Sequence, residues 1–197
     1  PGGFPVNPNL ETFMITIPVI LVALGIHEFA HAKVADMSGD PTPRIHGRVT
    51  LNLFNHLDPL GTLMIVLTTI SGFGIGWGRP VPMDPRRMRN PRWDHFWAVA
   101  AGPISNLIQA AVFAIMLRIL LVAGVNVSGA VGQLLLAGIF VNLGLCLFNL
   151  LPLGPLDGHW LLGSFLGEQQ RLKWYLWNRQ MGGIALLGLV FLGQFDQ

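Results

Sequence analysis

The stretch Ile20-Leu21-Val22-Ala23-Leu24-Gly25-Ile26-His27-Glu28-Phe29-Ala30-His31 sets two histidines and a glutamate inside an apolar run that extends from Thr12 to Ala35. Such a run meets the requirement for a membrane-spanning helix, roughly 20 largely apolar residues. On an α-helix, positions four apart lie about 40° apart around the axis, so His27 and His31 project from one face with Glu28 beside them. Ionisable side chains at membrane depth are costly unless they pair or meet water, so their default reading is functional. The same cost disfavours a chance H-E-x-x-H whose histidines merely cap a helix end.

The rest of the composition agrees with a membrane setting. The 197 residues are 52% hydrophobic and 11% charged, with a mean hydropathy of +0.55, against about 25% charged in soluble domains. So few charges cannot cover a water-facing surface. Apolar segments near residues 12–35, 97–124 and 129–151 are each long enough to span. Residues 60–77 are thinner and end in Gly72, Gly74 and Gly76, while 172–193 read as a last helix that starts with an aromatic belt of Trp174, Tyr175 and Trp177. The expected fold is an all-α membrane protein, a bundle of about 4–6 helices including one re-entrant segment at 60–77. A short β-strand or hairpin is expected near 44–53, where Ile45, Val49, Leu51 and Leu53 partly alternate beside Gly47. With no internal repeat and no low-complexity linker, residues 1–197 read as a single integral membrane domain. The start at Pro1, with no basic stretch before the first apolar run, argues for a trimmed beginning rather than a signal peptide.

The formal charge of +2 does not point to nucleic acid. Five of the twelve Lys and Arg lie from Arg79 to Arg92, and a short arginine-rich loop beside membrane segments reads as cytoplasmic. No groove-reading motif accompanies the charge, so nucleic acid is not expected as a partner. Cys146 is the one cysteine, which rules out an internal disulfide or a cysteine metal cluster.

The histidine spacing suits zinc, which takes neutral imidazole and leaves Glu28 free as a base towards water. A catalytic zinc site needs a third protein ligand and one open position. Glu11 lies at the far end of the first helix, and Glu168 sits in a polar stretch with Gln169 and Gln170. Asp157 is the better candidate. It follows an apolar helix within Asn149-Leu150-Leu151-Pro152-Leu153-Gly154-Pro155-Leu156-Asp157-Gly158, where two prolines must unwind the helix. Unwound backbone at membrane depth is tolerated only where it lines a buried or wet cavity.

The remaining candidates have blander readings beside the functional ones. His159, next to Trp160, is an interfacial anchor or an extra ligand, the anchor being favoured. His56 with Asp58 either supports a ligand or belongs to an Asx-type turn before Pro59, and the turn is favoured slightly. His46 and His95 read as surface or interfacial, the six tryptophans as interface anchors, and Gly102-Pro103 as a site of close helix packing. The strand near Val49 is either structural or an edge that clamps an extended substrate by β-addition.

H-E-x-x-H on one membrane helix with N-x-x-P-x-x-x-L-D-G at the end of another resembles the site-2 protease family, zinc enzymes that cleave membrane-spanning substrates. Further stretches share the resemblance: Gly47-Arg48-Val49-Thr50-Leu51-Asn52, His56-Leu57-Asp58-Pro59-Leu60-Gly61-Thr62, Gly78-Arg79-Pro80-Val81-Pro82, and Ala101-Gly102-Pro103 with Asn106. Together they run from residue 25 to residue 160 and are similar to the compact subgroup without an inserted PDZ domain. The resemblance implies Zn2+ held by His27, His31 and Asp157, Glu28 as general base, and Asn149 and Asn106 steadying the substrate or the oxyanion. It implies hydrolysis of peptide bonds in or near transmembrane segments, with transmembrane or membrane-anchored proteins as substrates and the lipid bilayer as setting. Gly154 departs from the subgroup, where a proline is common, and His159 stands where a small polar residue is usual. Two rivals share the ligands: a zinc transporter, and a catalytically inactive relative that binds membrane proteins. The oligomeric state is open.

Geometry adds a topological expectation. The histidines lie near the C-terminal end of the first helix and Asp157 follows the C-terminal end of the helix at 129–151, yet zinc bonds are only about 2.0–2.2 Å long. Both ends must open on one side, so 60–77 must start and finish on one side too. Residues 36–93 and 152–178 then share a face, and eleven of the twelve Lys and Arg fall on or beside it, with Arg118 towards the other. That places the active site of a multi-pass protein nearer the cytoplasm.

Overall fold

The computed structural model of the chain describes residues 8–71 and 76–192. Among them the α-helices are, in chain order, α1 (Pro8–Met37), α2 (Thr42–Ile45), α3 (Pro59–Ser71), α4 (Trp93–Val122), α5 (Ala130–Asn149), α6 (Asp157–Phe165), α7 (Glu168–Trp177) and α8 (Gly183–Leu192). Three of them, α1, α4 and α5, are long and apolar enough to cross a membrane. These three pack on one another to form the centre of the molecule.

Small residues make that packing. Ala23, Ala32 and Ala35 of α1 and Ala98, Ala100 and Ala110 of α4 are buried, and so are Gly102 of α4 and Gly138 of α5. Lipid is as apolar as leucine, so helices associate in it where small residues let backbones come close. The larger apolar side chains of α4, among them Ile104, Ile108, Val112 and Ile115, point outward and are exposed. At the end of α4, Gly124 takes a positive φ of 71°, and Val125 N–H closes the turn on the Leu120 carbonyl at 3.0 Å. That left-handed position is one glycine adopts without penalty.

The thin segment behaves as the topological argument requires. With 13 residues, α3 is about 20 Å long at 1.5 Å per residue, short of a full span. Asp58 caps it, its carboxylate accepting from Gly61 N–H at 2.8 Å. The chain then comes back beside its own start: Leu57 pairs with Gly78 across an antiparallel bridge, and Arg79 N–H donates to the His56 carbonyl at 2.8 Å. A side chain on Gly61 would overlap the Trp77 carbonyl, so the return path lies against the helix. Gly72 and Gly74 lie outside the described residues.

No strand forms at residues 44–53, contrary to the alternation there. After α2 the chain turns at Gly47, whose φ is +65°. Gly47 N–H bonds to Arg44 O at 2.9 Å and Arg48 N–H to Pro43 O at 2.8 Å, and Asn52 caps a single 3-10 turn at Leu53–Asn55. Backbone groups used locally leave no row of donors and acceptors for a ladder. Ile45 and Leu51 face outward, 70% and 66% exposed, so the period-two pattern marked no packed face.

The last helical stretch begins at Glu168, ahead of the expected 172, and a π-helical turn at Asn178–Gly182 divides it into α7 and α8. Asn178 Oδ1 accepts from Gly154 N–H at 2.7 Å, which docks this turn on the unwound loop before α6.

Candidate metal centre

On α1 the imidazoles of His27 and His31 lie edge to face with their Nε2 atoms 3.0 Å apart. Each is oriented from behind by α4. His31 Nδ1 is 2.8 Å from the Ala98 carbonyl, which can only accept, so Nδ1 carries the hydrogen and Nε2 a lone pair. His27 Nδ1 lies 2.6 Å from Asn106 Oδ1. Gly102 lets α4 come this close: a Cβ there would overlap His31 Nε2 and sit 2.7 Å from His27 Cε1.

Asp157 arrives from the other direction. Beyond α5 the chain runs through Pro152 and a cis Gly154–Pro155 bond, then α6 opens on Asp157 itself. A Cβ on Gly158 would overlap the carbonyls of Leu150 and Leu151, so only glycine lets α6 start beneath the end of α5. Asp157 Oδ2 lies 3.2 Å from His27 Nε2 and 3.3 Å from His31 Nε2.

These three atoms fit a metal. Asp157 Oδ2 is buried without a hydrogen bond, and in the neutral rings that bind a metal the two Nε2 atoms facing it carry lone pairs. Three converging acceptors with no donor among them repel unless a cation sits between. Their mutual separations of 3.0–3.3 Å are close to the edge of a tetrahedron built on zinc bonds of about 2.0–2.1 Å, roughly 3.3–3.4 Å. Among the described residues, this is the group of His, Cys, Asp and Glu that can hold a metal ion.

A cavity of about 630 Å³ includes the three ligand side chains in its lining, together with Glu28, Asn149, Trp77 and Trp160 and the apolar Leu145, Phe148, Leu186 and Leu187. Glu28 is buried, and the Gly78 backbone lies against it: a Cβ on Gly78 would sit 3.2 Å from Glu28 Oε1. Arg48, also buried, donates to the Arg79 carbonyl and so ties this backbone down. Asn149 gives one amide hydrogen to Leu145 O at 2.9 Å.

Asn106 is placed elsewhere. It is fully buried and stands behind His27, and its Nδ2 donates to Asn142 Oδ1 at 2.9 Å and Ala23 O at 3.4 Å. With both amide hydrogens taken, it has none to offer an oxyanion. His159 bonds through Nδ1 to its own turn at Leu156 O and makes a tilted ring contact with Trp160 and an edge-to-face one with Tyr175. It is not part of the metal group. His56 binds Thr50 O rather than Asp58. His46 is exposed, but His95 is buried against Trp160 and is not a surface residue. Trp77 and Trp160 line the cavity rather than serving as anchors alone. Sequence reasoning passed over Asn142 and Arg48. An amide in the middle of the apolar run at 129–151 was the available signal for the first; for the second it was a charge within the stretch Gly47-Arg48-Val49-Thr50-Leu51-Asn52.

Helices long and apolar enough to cross a membrane, packed around a buried His2Asp centre with a glutamate beside it, define a membrane metalloprotein. Comparison with known proteins narrows the class. The chain is 39% identical over 158 residues to YwhC of Bacillus subtilis (strain 168), covering 78% of this chain and 70% of that protein. It is 31% identical over 165 residues to Rip2 of Mycobacterium tuberculosis (strain H37Rv), covering 81% of this chain and 60% of that one. Rip2 of Mycolicibacterium smegmatis is 32% identical over 162 residues, again with 60% of its length covered. Each is named a "Putative zinc metalloprotease". The chain belongs to the site-2 protease family. It spans about 60% of the length of the two mycobacterial relatives. No protein-family model and no solved structure matches it.

Proposed function

We propose that the protein is an intramembrane zinc metalloprotease that hydrolyses peptide bonds in or near the transmembrane segments of other membrane proteins. The observation that carries this reading is the convergence of His27 Nε2, His31 Nε2 and Asp157 Oδ2, all acceptors, next to Glu28 at the head of a mostly apolar cavity. Zinc bound there supplies positive charge that polarises a carbonyl and acidifies water. The chain's own residues do the rest. Glu28, buried and beside the ligands, accepts the proton of the attacking water and returns it to the leaving amine. Asn106 and the Ala98 carbonyl keep both Nε2 lone pairs aimed at the metal. Asn149, which lines the same cavity, is assigned the amide hydrogen that meets the oxyanion. The apolar walls suit a segment drawn from the bilayer and keep bulk water away.

A transporter would use the same three ligands but has no need of a glutamate held beside them, and an inactive relative has no need of the full set. The domain is read as one unit, nearer the cytoplasm at its metal end, because Arg48, Arg79 and Arg86 to Arg92 cluster there. The test is made in proteoliposomes with a panel of membrane-helix substrates, cut sites mapped by mass spectrometry and metal content by ICP-MS. Wild type should carry about one zinc per chain and cut. Glu28→Gln should keep the zinc and cut about 10²–10⁴-fold more slowly. Wild type without zinc, or Glu28→Gln cutting at the wild-type rate, overturns the reading; zinc flux without cleavage selects the transporter.

A further inference from the structure

A line of amides crosses the helix core behind His27. Asn142 of α5 and Asn106 of α4 are fully enclosed, at 1% and 0% exposure, where α1, α4 and α5 pack together. Asn142 Nδ2 donates to Gly138 O at 2.8 Å, Asn106 Nδ2 donates to Asn142 Oδ1 at 2.9 Å, and Asn106 Oδ1 faces His27 Nδ1 at 2.6 Å.

The direction of this line is set at its far end. A backbone carbonyl has no hydrogen to give, so Gly138 O forces the amide nitrogen of Asn142 towards itself and the amide oxygen towards Asn106. That oxygen in turn demands the nitrogen of Asn106, which the Ala23 carbonyl on the opposite side demands as well. Asn106 can then present only its oxygen to His27. His27 must carry its hydrogen on Nδ1, and its lone pair is left on Nε2, the atom that meets His31 and Asp157. Reversing any one amide would set oxygen against oxygen at fully buried positions, leaving polar groups unsatisfied.

The geometry points to Asn142 as a positioning residue for the metal site: from a helix that supplies no histidine, it fixes the tautomer and ring orientation of His27 through Asn106. The inference rests on His27 being a zinc ligand, and it goes further, because it ties the metal's affinity to how α5 sits against α4. Partners of this kind, once removed, typically cost about 10–100-fold in metal affinity.

The experiment measures zinc affinity of detergent-solubilised full chain by competition with a chromophoric chelator, with the visible spectrum of the cobalt-loaded protein as a second readout. Asn142→Leu should weaken zinc binding about 10–100-fold and shift the cobalt bands. Asn142→Asp should restore both, since its neutral carboxyl can donate to Gly138 and accept from Asn106. Asn106→Leu should weaken zinc similarly, and adding Asn142→Leu to it should cost nothing further. If Asn142→Leu does not fold, Asn142→Ser replaces it, because serine reaches the Gly138 carbonyl but not Asn106. Wild type that binds no zinc removes the function proposed above. Wild type that binds zinc while Asn142→Leu or Asn142→Ser binds as tightly, or additive losses in the double variant, overturns the relay alone.

Discussion

The two sides of the cavity are built on different terms. On the histidine side, where α1, α4 and α5 meet, His27 Nδ1, His31 Nδ1, Asn106 and Asn142 all have hydrogen-bond partners. On the loop side, Arg48 and His56 are as deeply enclosed, at 3% and 0% exposure, yet Arg48 Nε and His56 Nδ1 have no partner. Burial pushes both groups below their ordinary values, only partly offset by Glu28 near Arg48 and by the Thr50 carbonyl at His56. In a low-dielectric interior a saturated network is stiff, while an unsaturated one carries a penalty it would lose by moving. The side chains behind the ligand atoms are thus held by hydrogen bonds on the histidine side. On the loop side the Gly78–Arg79 backbone is held by Arg48, His56 and Leu57, but the Arg48 and His56 side chains keep unpaired polar atoms.

The sharpest way to break this contrast is to push on the rigid side. Gly102→Ala puts a methyl group into the imidazole pair, and neither α1 nor α4 has room to yield. Zinc affinity should fall by more than about 10²-fold and cleavage should vanish with it, while circular dichroism still shows the helices. Retained zinc in this variant would mean that the histidine side is softer than its hydrogen bonds suggest.

A smaller and opposite pattern is expected from the loop side. Arg48→Met removes a buried charge that is incompletely bonded and the tie to the Arg79 carbonyl. Cleavage should drop about tenfold, the worth of a ~1.4 kcal/mol contact, with zinc affinity unchanged. Thermal stability should hold or rise, since replacing a buried ionic group by an apolar one is often stabilising. A loss of zinc here would show that the two sides are coupled.

The least perturbing experiment leaves activity as it is and asks where the loop side faces. In a Cys146→Ala background, Phe54→Cys and Arg86→Cys sit on outward side chains, 82% and 90% exposed. Both should react with a membrane-impermeant thiol reagent from the cytoplasmic side. Labelling from opposite sides would end the account in which the chain returns after α3.

How much of this was legible in the chain depends on the range of the interaction that decides it. The three long apolar helices, the shared face of His27 and His31, and the break at Pro152 and Pro155 follow from local rules: hydropathy over a bilayer's thickness, a 3.6-residue period, and a ring without a donor. Even the return of the 60–77 segment could be inferred, because ligand atoms must meet. Other features were not local. The alternation at Ile45, Leu51 and Leu53 looked like a strand, but a strand exists only with a partner ladder, and here the backbone bonds closed on themselves around Gly47. Asn106 looked like a residue for the substrate until packing placed it behind His27 with both amide hydrogens spent. Sequence by itself determined which residue types stand ready as ligands and which segments can live in lipid. Tertiary structure decided which way His27, His31 and Asn106 point, because their partners lie 36 to 83 residues away in the chain, a separation over which no local periodicity carries information.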